Sequence, residues 1–237
     1  MGDILIVFDV DGTLVGGEPT DWASFEGAFE ETAGFALDSA FWESLEEVTA
    51  QAVVHQALKD SSPEKKAHMV HAVRDGYLRR LRAAHENDSS SFPALEGALA
   101  LLEELKKQGV AFAIGTGDWF ETSTFKLGAS GIRLDSIPMV TSSDFYTRGD
   151  IIAGAAAKAG RRLQETVYVG DGLWDLRTCQ KLGIPFIGVG RRKEKLEHAG
   201  ATYTLPDLSP ASFWRVMDTI RGKGSTPYNL QTARPLP

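Results

Sequence analysis

Cysteine is almost missing from this chain. A single one, Cys179, occurs among 237 residues, which excludes an internal disulfide framework and any zinc site built from several thiolates. Cys179 falls in a segment with amphipathic helical spacing, so its expected role is packing. No apolar run approaches the roughly 20 residues of a membrane span. The first residues lack the basic and then apolar stretches of a secretory signal, and Ile6 stands where an N-myristoylation motif after Met1-Gly2 would carry Ser or Thr. Basic residues are in deficit. The formal net charge of -7 argues against a nucleic-acid-binding face, which is ordinarily basic. The expectation from these absences is a soluble, cytoplasmic protein.

What is present is an alternation of short apolar runs and helical patterns. The apolar content of 43% is enough for one large domain, or for a core with a smaller module attached. Ile4-Leu5-Ile6-Val7-Phe8 reads as a buried parallel strand. Further runs at Val110–Gly115, Ile137–Thr141, Thr166–Gly170 and Pro185–Val189 read the same way, and Ala201–Leu205 suits an edge strand. Leu95–Gln108 is the clearest helix, with Leu95, Ala98, Leu102 and Leu105 on one face and Gly109 to end it. Strands alternating with helices imply an α/β fold with a doubly wound, Rossmann-like parallel sheet.

Residues 17–92 break the alternation and carry three helical patterns instead. The first is marked by Trp22, Phe25 and Phe29, the second by Phe41, Leu45, Val48 and Ala52. In the third, Ser62 is placed to cap, Pro63 begins the first turn, and Val70, Val73, Tyr77 and Leu81 form a stripe. Asn87-Asp88-Ser89-Ser90-Ser91 reads as a flexible return linker. The expectation is an all-helical cap over residues 17–92, inserted into a core made of residues 1–16 and 93–221. A tail over 222–237 is rich in Gly, Pro and polar residues and lacks an apolar period.

Chemistry enters where the first strand ends, in Asp9-Val10-Asp11-Gly12. Ligands of open α/β sheets bind at the carboxyl ends of the strands, and a period of two turns Asp9 and Asp11 toward one crevice. One such carboxylate can attack phosphorus while the other protonates the leaving oxygen. Attack on a phosphate dianion meets repulsion of about 4 kcal/mol for unit charges near 4 Å at an effective dielectric of ~20. That cost calls for a hard divalent cation, most naturally Mg²⁺, and for a basic side chain.

The later strand ends supply candidates for both needs. Thr116-Gly117-Asp118 opens a helix, where a hydroxyl and free backbone N–H groups form a cradle for phosphate oxygens. In Gly170-Asp171-Gly172-Leu173-Trp174-Asp175, Asp171 can complete the oxygen shell of Mg²⁺ and Asp175 can brace the site from the next helical turn.

Together, Asp9-Val10-Asp11-Gly12-Thr13-Leu14, Thr116 and Gly170-Asp171-Gly172-x-x-Asp175 resemble the first, second and fourth motifs of the haloacid dehalogenase superfamily. The stretch from Phe92 to Asp118 and the helical insertion resemble its phosphoglycolate phosphatase branch. The resemblance implies that Asp9 is the nucleophile and Asp11 the general acid and base. It also implies Mg²⁺ held by Asp9, the Asp11 backbone carbonyl and Asp171, with Asp175 in support. Thr116, Gly117 and a basic residue would hold the phosphoryl group. Relatives use a lysine there, whereas Arg148 holds the corresponding place here, with Lys158 as the fallback.

Two activities of the superfamily are disfavoured. Dehalogenation needs no acid at Asp11, and phosphonate cleavage needs a lid amine, whereas Lys59, Lys65 and Lys66 sit in charged, solvated surroundings. The expected activity is Mg²⁺-dependent hydrolysis of a small phosphorylated metabolite through an aspartyl-phosphate. The alternatives are a phosphosugar mutase using the same carboxylates and a catalytically silent binding protein. Trp119, Phe120 and Trp174 flank the motifs and are either pocket wall or core; His68 and His71 are read as a polar helix face. The oligomeric state is left open.

Overall fold

The computed structural model describes residues 4–222; Met1-Gly2 and all of the expected tail except Gly222 lie outside the described residues. Six strands form one sheet: β1 (Leu5–Phe8), β2 (Phe112–Gly115), β3 (Met139–Val140), β4 (Thr166–Gly170), β5 (Phe186–Val189) and β6 (Tyr203–Leu205). All adjacent pairs are parallel, in the order β3-β2-β1-β4-β5-β6. Every strand foreseen in the sequence is present, the edge strand included. The doubly wound Rossmann-like sheet is therefore the observed architecture.

Side-chain alternation sorts β1 between two layers. Ile6 and Phe8 face one core with α5 (Ala98–Gln108) and α10 (Pro210–Gly222), whereas Leu5 and Val7 face another with α7 (Arg148–Lys158) and α8 (Leu173–Leu182). Helix α5 begins three residues later than Leu95, because Gly97 adopts a left-handed φ of 80° at its N-terminus. Cys179 is a free, buried member of the second core, with burial holding its thiol well above the ordinary range. Among the described residues no helix is long and apolar enough to cross a membrane.

Between β1 and β2 the chain forms α1 (Glu18–Ala33), α2 (Ser39–Glu43), α3 (Ala50–Ala57) and α4 (Pro63–Asn87). Pro63 opens α4 and Ser62 accepts from the Lys65 N–H at 3.2 Å, as the sequence implied. The second pattern corrects the expectation of one helix from Phe41 to Ala52: it is two helices with an irregular link across 44–49. Backbone groups there are drawn elsewhere. The Val48 carbonyl accepts from Arg148 at 3.0 Å, the Ala50 N–H donates to Gly117 at 2.7 Å, and Thr49 caps α3. Asn87 is also not linker but the end of α4, and the following turn is tied by the Ser90 and Ser91 N–H groups to Asp88 at 2.9 and 3.0 Å.

The outgoing and returning chains meet at a paired neck. Gly16 donates to the Pro93 carbonyl at 2.8 Å and Leu95 to Leu14 at 2.9 Å. At Gly17, φ is 93° and a Cβ would overlap the Ser91 carbonyl, so glycine is required by both conformation and space.

Phe8 anchors the sheet to its helical layer. Its ring lies 6.3 Å from Phe112 and 6.2 Å from Phe213 of α10. Phe8→Ala should cost about 3–5 kcal/mol in urea unfolding, the range for deleting a buried ring; a loss below about 1 kcal/mol would mean that this layer does not depend on it.

Candidate active site

The strand register assembles the foreseen residues. Phe8 pairs with Ile114 on one side and Val169 on the other, so Asp9 comes level with Gly115 and Gly170. Thr116 and Asp171 follow immediately on the two flanking strands. Asp9 and Thr116 are buried, and with Asp11, Gly117, Arg148 and Asp171 they border one cavity of about 110 Å³. Gly12 turns the chain after Asp11 with a φ of 74°, and a Cβ at this position would overlap the Asp171 carboxylate.

Arg148, the first residue of α7, reaches the nucleophile candidate. Its Nη1 lies 3.4 Å from Asp9 Oδ1, 3.1 Å from Asp175 Oδ1 and 3.2 Å from the Tyr168 hydroxyl, which itself donates to the Gly115 carbonyl at 2.8 Å. Burial works against the guanidinium charge, but Asp175, Tyr168 and Asp9 hold its pKa well above the ordinary value. Gly117 leaves it room: a Cβ there would overlap Nη2. Lys158 lies at the other end of α7, where its ammonium donates to the Met139 carbonyl at 3.0 Å. Lys158 is thus an exposed residue with its ammonium tied to that carbonyl, away from Asp9.

Asp9, Asp171 and Asp175 bring carboxylate oxygens within 4.8 Å of one another. Burial, then Asp175 and Asp9, raises Asp171 well above the usual carboxylate range. Burial also raises Asp175 to about 7, against the pull of Arg148 and with repulsion from Asp9 added. Three buried hard-oxygen donors with excess negative charge fit a divalent cation. Asp175 also accepts from the Gly172 N–H at 3.1 Å, which fixes its carboxylate at the start of α8. The Asp11 side chain is not part of this cluster.

Asp11 instead meets Lys126, which sequence reasoning missed. Lys126 belongs to α6 (Phe120–Ala129), is fully buried, and lies 2.7 Å from Asp11, 2.7 Å from Asp21 and 2.9 Å from Asp118. Its ammonium also donates to the Tyr77 hydroxyl at 3.1 Å, and Tyr77 donates to Asp21. Burial opposes the lysine charge, but the three carboxylates keep its pKa well above normal. Burial, with Asp21 and Asp118 adding repulsion, raises Asp11 well above the carboxylate range despite Lys126. The signal was in the helical period: Thr122, Ser123, Lys126 and Leu127 share the buried stripe of α6, where a lysine has no packing reason to be.

Arg192, after β5, was also missed. It pairs with Asp171 at 3.0 Å and with Glu18 at 3.1 Å. Nothing in its local sequence separates it from the neighbouring Arg191 and Lys193.

The aromatic residues divide. Trp174 borders the cavity, joined by Trp22, Phe25 and Trp42. Trp119 is core, its ring 6.0 Å from Phe25, and Phe120 is exposed. His68, His71, Lys59 and Lys65 are exposed, and Lys66 donates to the Lys59 carbonyl at 2.8 Å.

Comparison with known proteins agrees with this geometry. The haloacid dehalogenase-like hydrolase family model matches residues 6–189. No curated protein sequence matches the chain. Similar solved structures include a hydrolase from Pseudomonas syringae, 22% identical with a TM-score of 0.71 over 92% of this chain and 99% of that one. CbbY from Rhodobacter sphaeroides in complex with phosphate is 20% identical with a TM-score of 0.69, covering 88% of this chain and 96% of its own. β-Phosphoglucomutase from Clostridium difficile is 17% identical with a TM-score of 0.73, covering 94% and 99%. At such identities the likeness establishes the fold alone, and the family model goes further. The chain belongs to the haloacid dehalogenase-like hydrolases.

Proposed function

We propose that the protein is a phosphomonoester hydrolase with Asp9 as nucleophile. The observation that carries this reading is Asp9 at the mouth of β1, against the Arg148 guanidinium and within reach of the Asp171 and Asp175 carboxylates. An Asp9 oxygen attacks phosphorus and the bond to the leaving oxygen breaks, while the Asp11 carboxyl gives that oxygen its proton. Asp11, now a carboxylate, takes a proton from water; the hydroxide attacks phosphorus and the bond to Asp9 breaks, releasing phosphate. The raised pKa of Asp11 suits the first of these roles. Thr116, the Gly117 backbone and Arg148 hold the phosphoryl oxygens, as phosphoryl transfer needs mainly positioning and charge stabilisation.

Asp9, Asp171, Asp175 and the Asp11 backbone carbonyl would hold Mg²⁺, which when bound offsets the charge of the phosphoryl group. Residues 17–92 act as a cap that excludes water, with 1–16 and 93–221 as the core. The end of the link and the start of α3 make the contact that supports this, because Val48 and Ala50 bond directly to Arg148 and Gly117. CbbY, crystallised with phosphate, is consistent with a small phosphorylated metabolite as substrate.

Three outcomes are expected. Hydrolysis of nitrophenyl phosphate should require Mg²⁺, fall with Ca²⁺ and vanish with Asp9→Asn; full activity after exhaustive chelation would contradict the assignment. Arg148→Ala should lower kcat about a thousandfold with the fold retained, and Arg148→Lys should restore part of it. Lys158→Ala should leave kcat within about threefold; the opposite ranking would move the phosphoryl-binding cation to Lys158.

The third outcome follows from the raised carboxylates. Asp175 holds its proton up to about pH 7 when folded, against 3.8 as its ordinary value, and Asp171 and Asp11 shift in the same direction. In that window the folded chain binds more protons than the unfolded one, so stability without divalent cations should fall as pH rises from about 4 to 7. Melting in chelator across this range checks the sign. Mg²⁺ should raise Tm more at the upper end, where its ligands are ionised.

A further inference from the structure

The cavity beside Asp9 and Asp11 is walled, on the side formed by α1–α4, by side chains with little to offer a sugar or a second phosphate. Trp22, Phe25, Trp42 and Val53 are apolar side chains of that wall, beside Glu18, Asp21, Thr49 and Tyr77. Trp22 and Trp42 meet edge to face with centroids 4.7 Å apart, and Phe25 lies 6.3 Å from Trp42.

Several polar groups on that wall are already engaged. Asp21 is held by Lys126 and Tyr77. Thr49 donates to the Tyr146 carbonyl at 2.9 Å and accepts from the Ala52 N–H at 3.2 Å. The Trp42 indole N–H donates to Glu26 at 3.2 Å, and Glu18 is paired with Arg192. Among the described residues, the only cations bordering the cavity are Arg148 and Arg192, both on the sheet side and both paired with carboxylates. The wall opposite contributes two acids, Glu18 and Asp21, and no lysine, arginine or histidine.

We propose that the substrate is the phosphomonoester of an aromatic alcohol. This rests on the phosphatase reading and names its substrate class. Ring faces recognise a flat apolar group by contact area and edge-to-face packing, with no unmet hydrogen-bond demand on either partner. A sugar would leave hydroxyls facing apolar rings, and buried polar groups without partners are costly. A second phosphate against this wall would meet Glu18 and Asp21; further cations, Arg177, Lys181 and Lys195, border the adjoining cavity that shares Trp22, Trp42 and Trp174.

Benzyl phosphate and glycerol phosphate both release a primary alcohol, so their comparison separates recognition from leaving-group reactivity. Benzyl phosphate should show a kcat/KM at least about tenfold higher than glycerol phosphate or glucose bisphosphate. Trp42→Ala should raise KM for benzyl phosphate about tenfold with kcat changed less than about twofold, and shrink the preference for benzyl over glycerol phosphate. Trp42→Phe should keep most of the preference. Because Asp9→Asn blocks turnover, that variant gives a separate binding readout: benzylphosphonate should quench its tryptophan fluorescence at lower concentration than inorganic phosphate does. Hydrolysis with the sugar phosphates preferred, or equal losses for both esters on Trp42→Ala, would overturn the inference and leave the phosphatase reading standing. Failure to hydrolyse any ester, nitrophenyl phosphate included, would overturn both.

Discussion

Buried carboxylates outnumber buried cations at the carboxyl end of this sheet, and the site is organised around that imbalance. Asp9, Asp171 and Asp175 converge on one side, and Asp11, Asp21 and Asp118 on the other. Against these six stand Arg148, Lys126 and Arg192. Isolated buried charges are expensive unless paired and hydrogen-bonded. The residual negative charge has two outlets: protons, held by Asp11, Asp171 and Asp175 to unusually high pH, or a metal ion. Both suit the proposed phosphatase, which would protonate a leaving group and receive a dianion.

The two cationic centres tie the helical insertion to the sheet. Arg148 binds Asp9 with one nitrogen and the Val48 carbonyl with the other. Lys126 joins Asp11 and Asp118 of the core to Asp21 and Tyr77 of α1 and α4. Asp9 and Asp11, the carboxylates proposed as catalytic, therefore each have a cation that also touches the insertion. The aromatic wall inherits its position from the same contacts, since Trp22 neighbours Asp21 in sequence and Phe25 packs on Tyr77 with centroids 5.6 Å apart.

Much of this was legible in the sequence because the informative residues lie at strand ends. β4 matches its expected limits, and the other strands begin one or two residues inside theirs, where pairing starts. Asp9, Thr116 and Asp171 could be placed together because a parallel sheet aligns its carboxyl ends. The break in the second helical pattern was hidden, since Phe41, Leu45, Val48 and Ala52 keep helical spacing; tertiary hydrogen bonds of Val48 with Arg148 and of Ala50 with Gly117 decided it. Arg192 was hidden as well, because its role exists only once β5 lies beside β4. Lys126 was readable in principle as a charged residue on a buried stripe, yet its partners come from three distant segments.

The central claim is that Asp9 carries the phosphoryl group between the two half-reactions. Its most direct test uses Asp11→Asn protein with nitrophenyl phosphate, whose leaving group needs no acid while hydrolysis of the intermediate still needs a base. Acid quenching during turnover, followed by peptide mass spectrometry, should find phosphate on the peptide that contains Asp9, at close to one per chain and labile to alkali. Continued release of phosphate with no phosphorylated peptide, or phosphate on any other residue, would contradict the account.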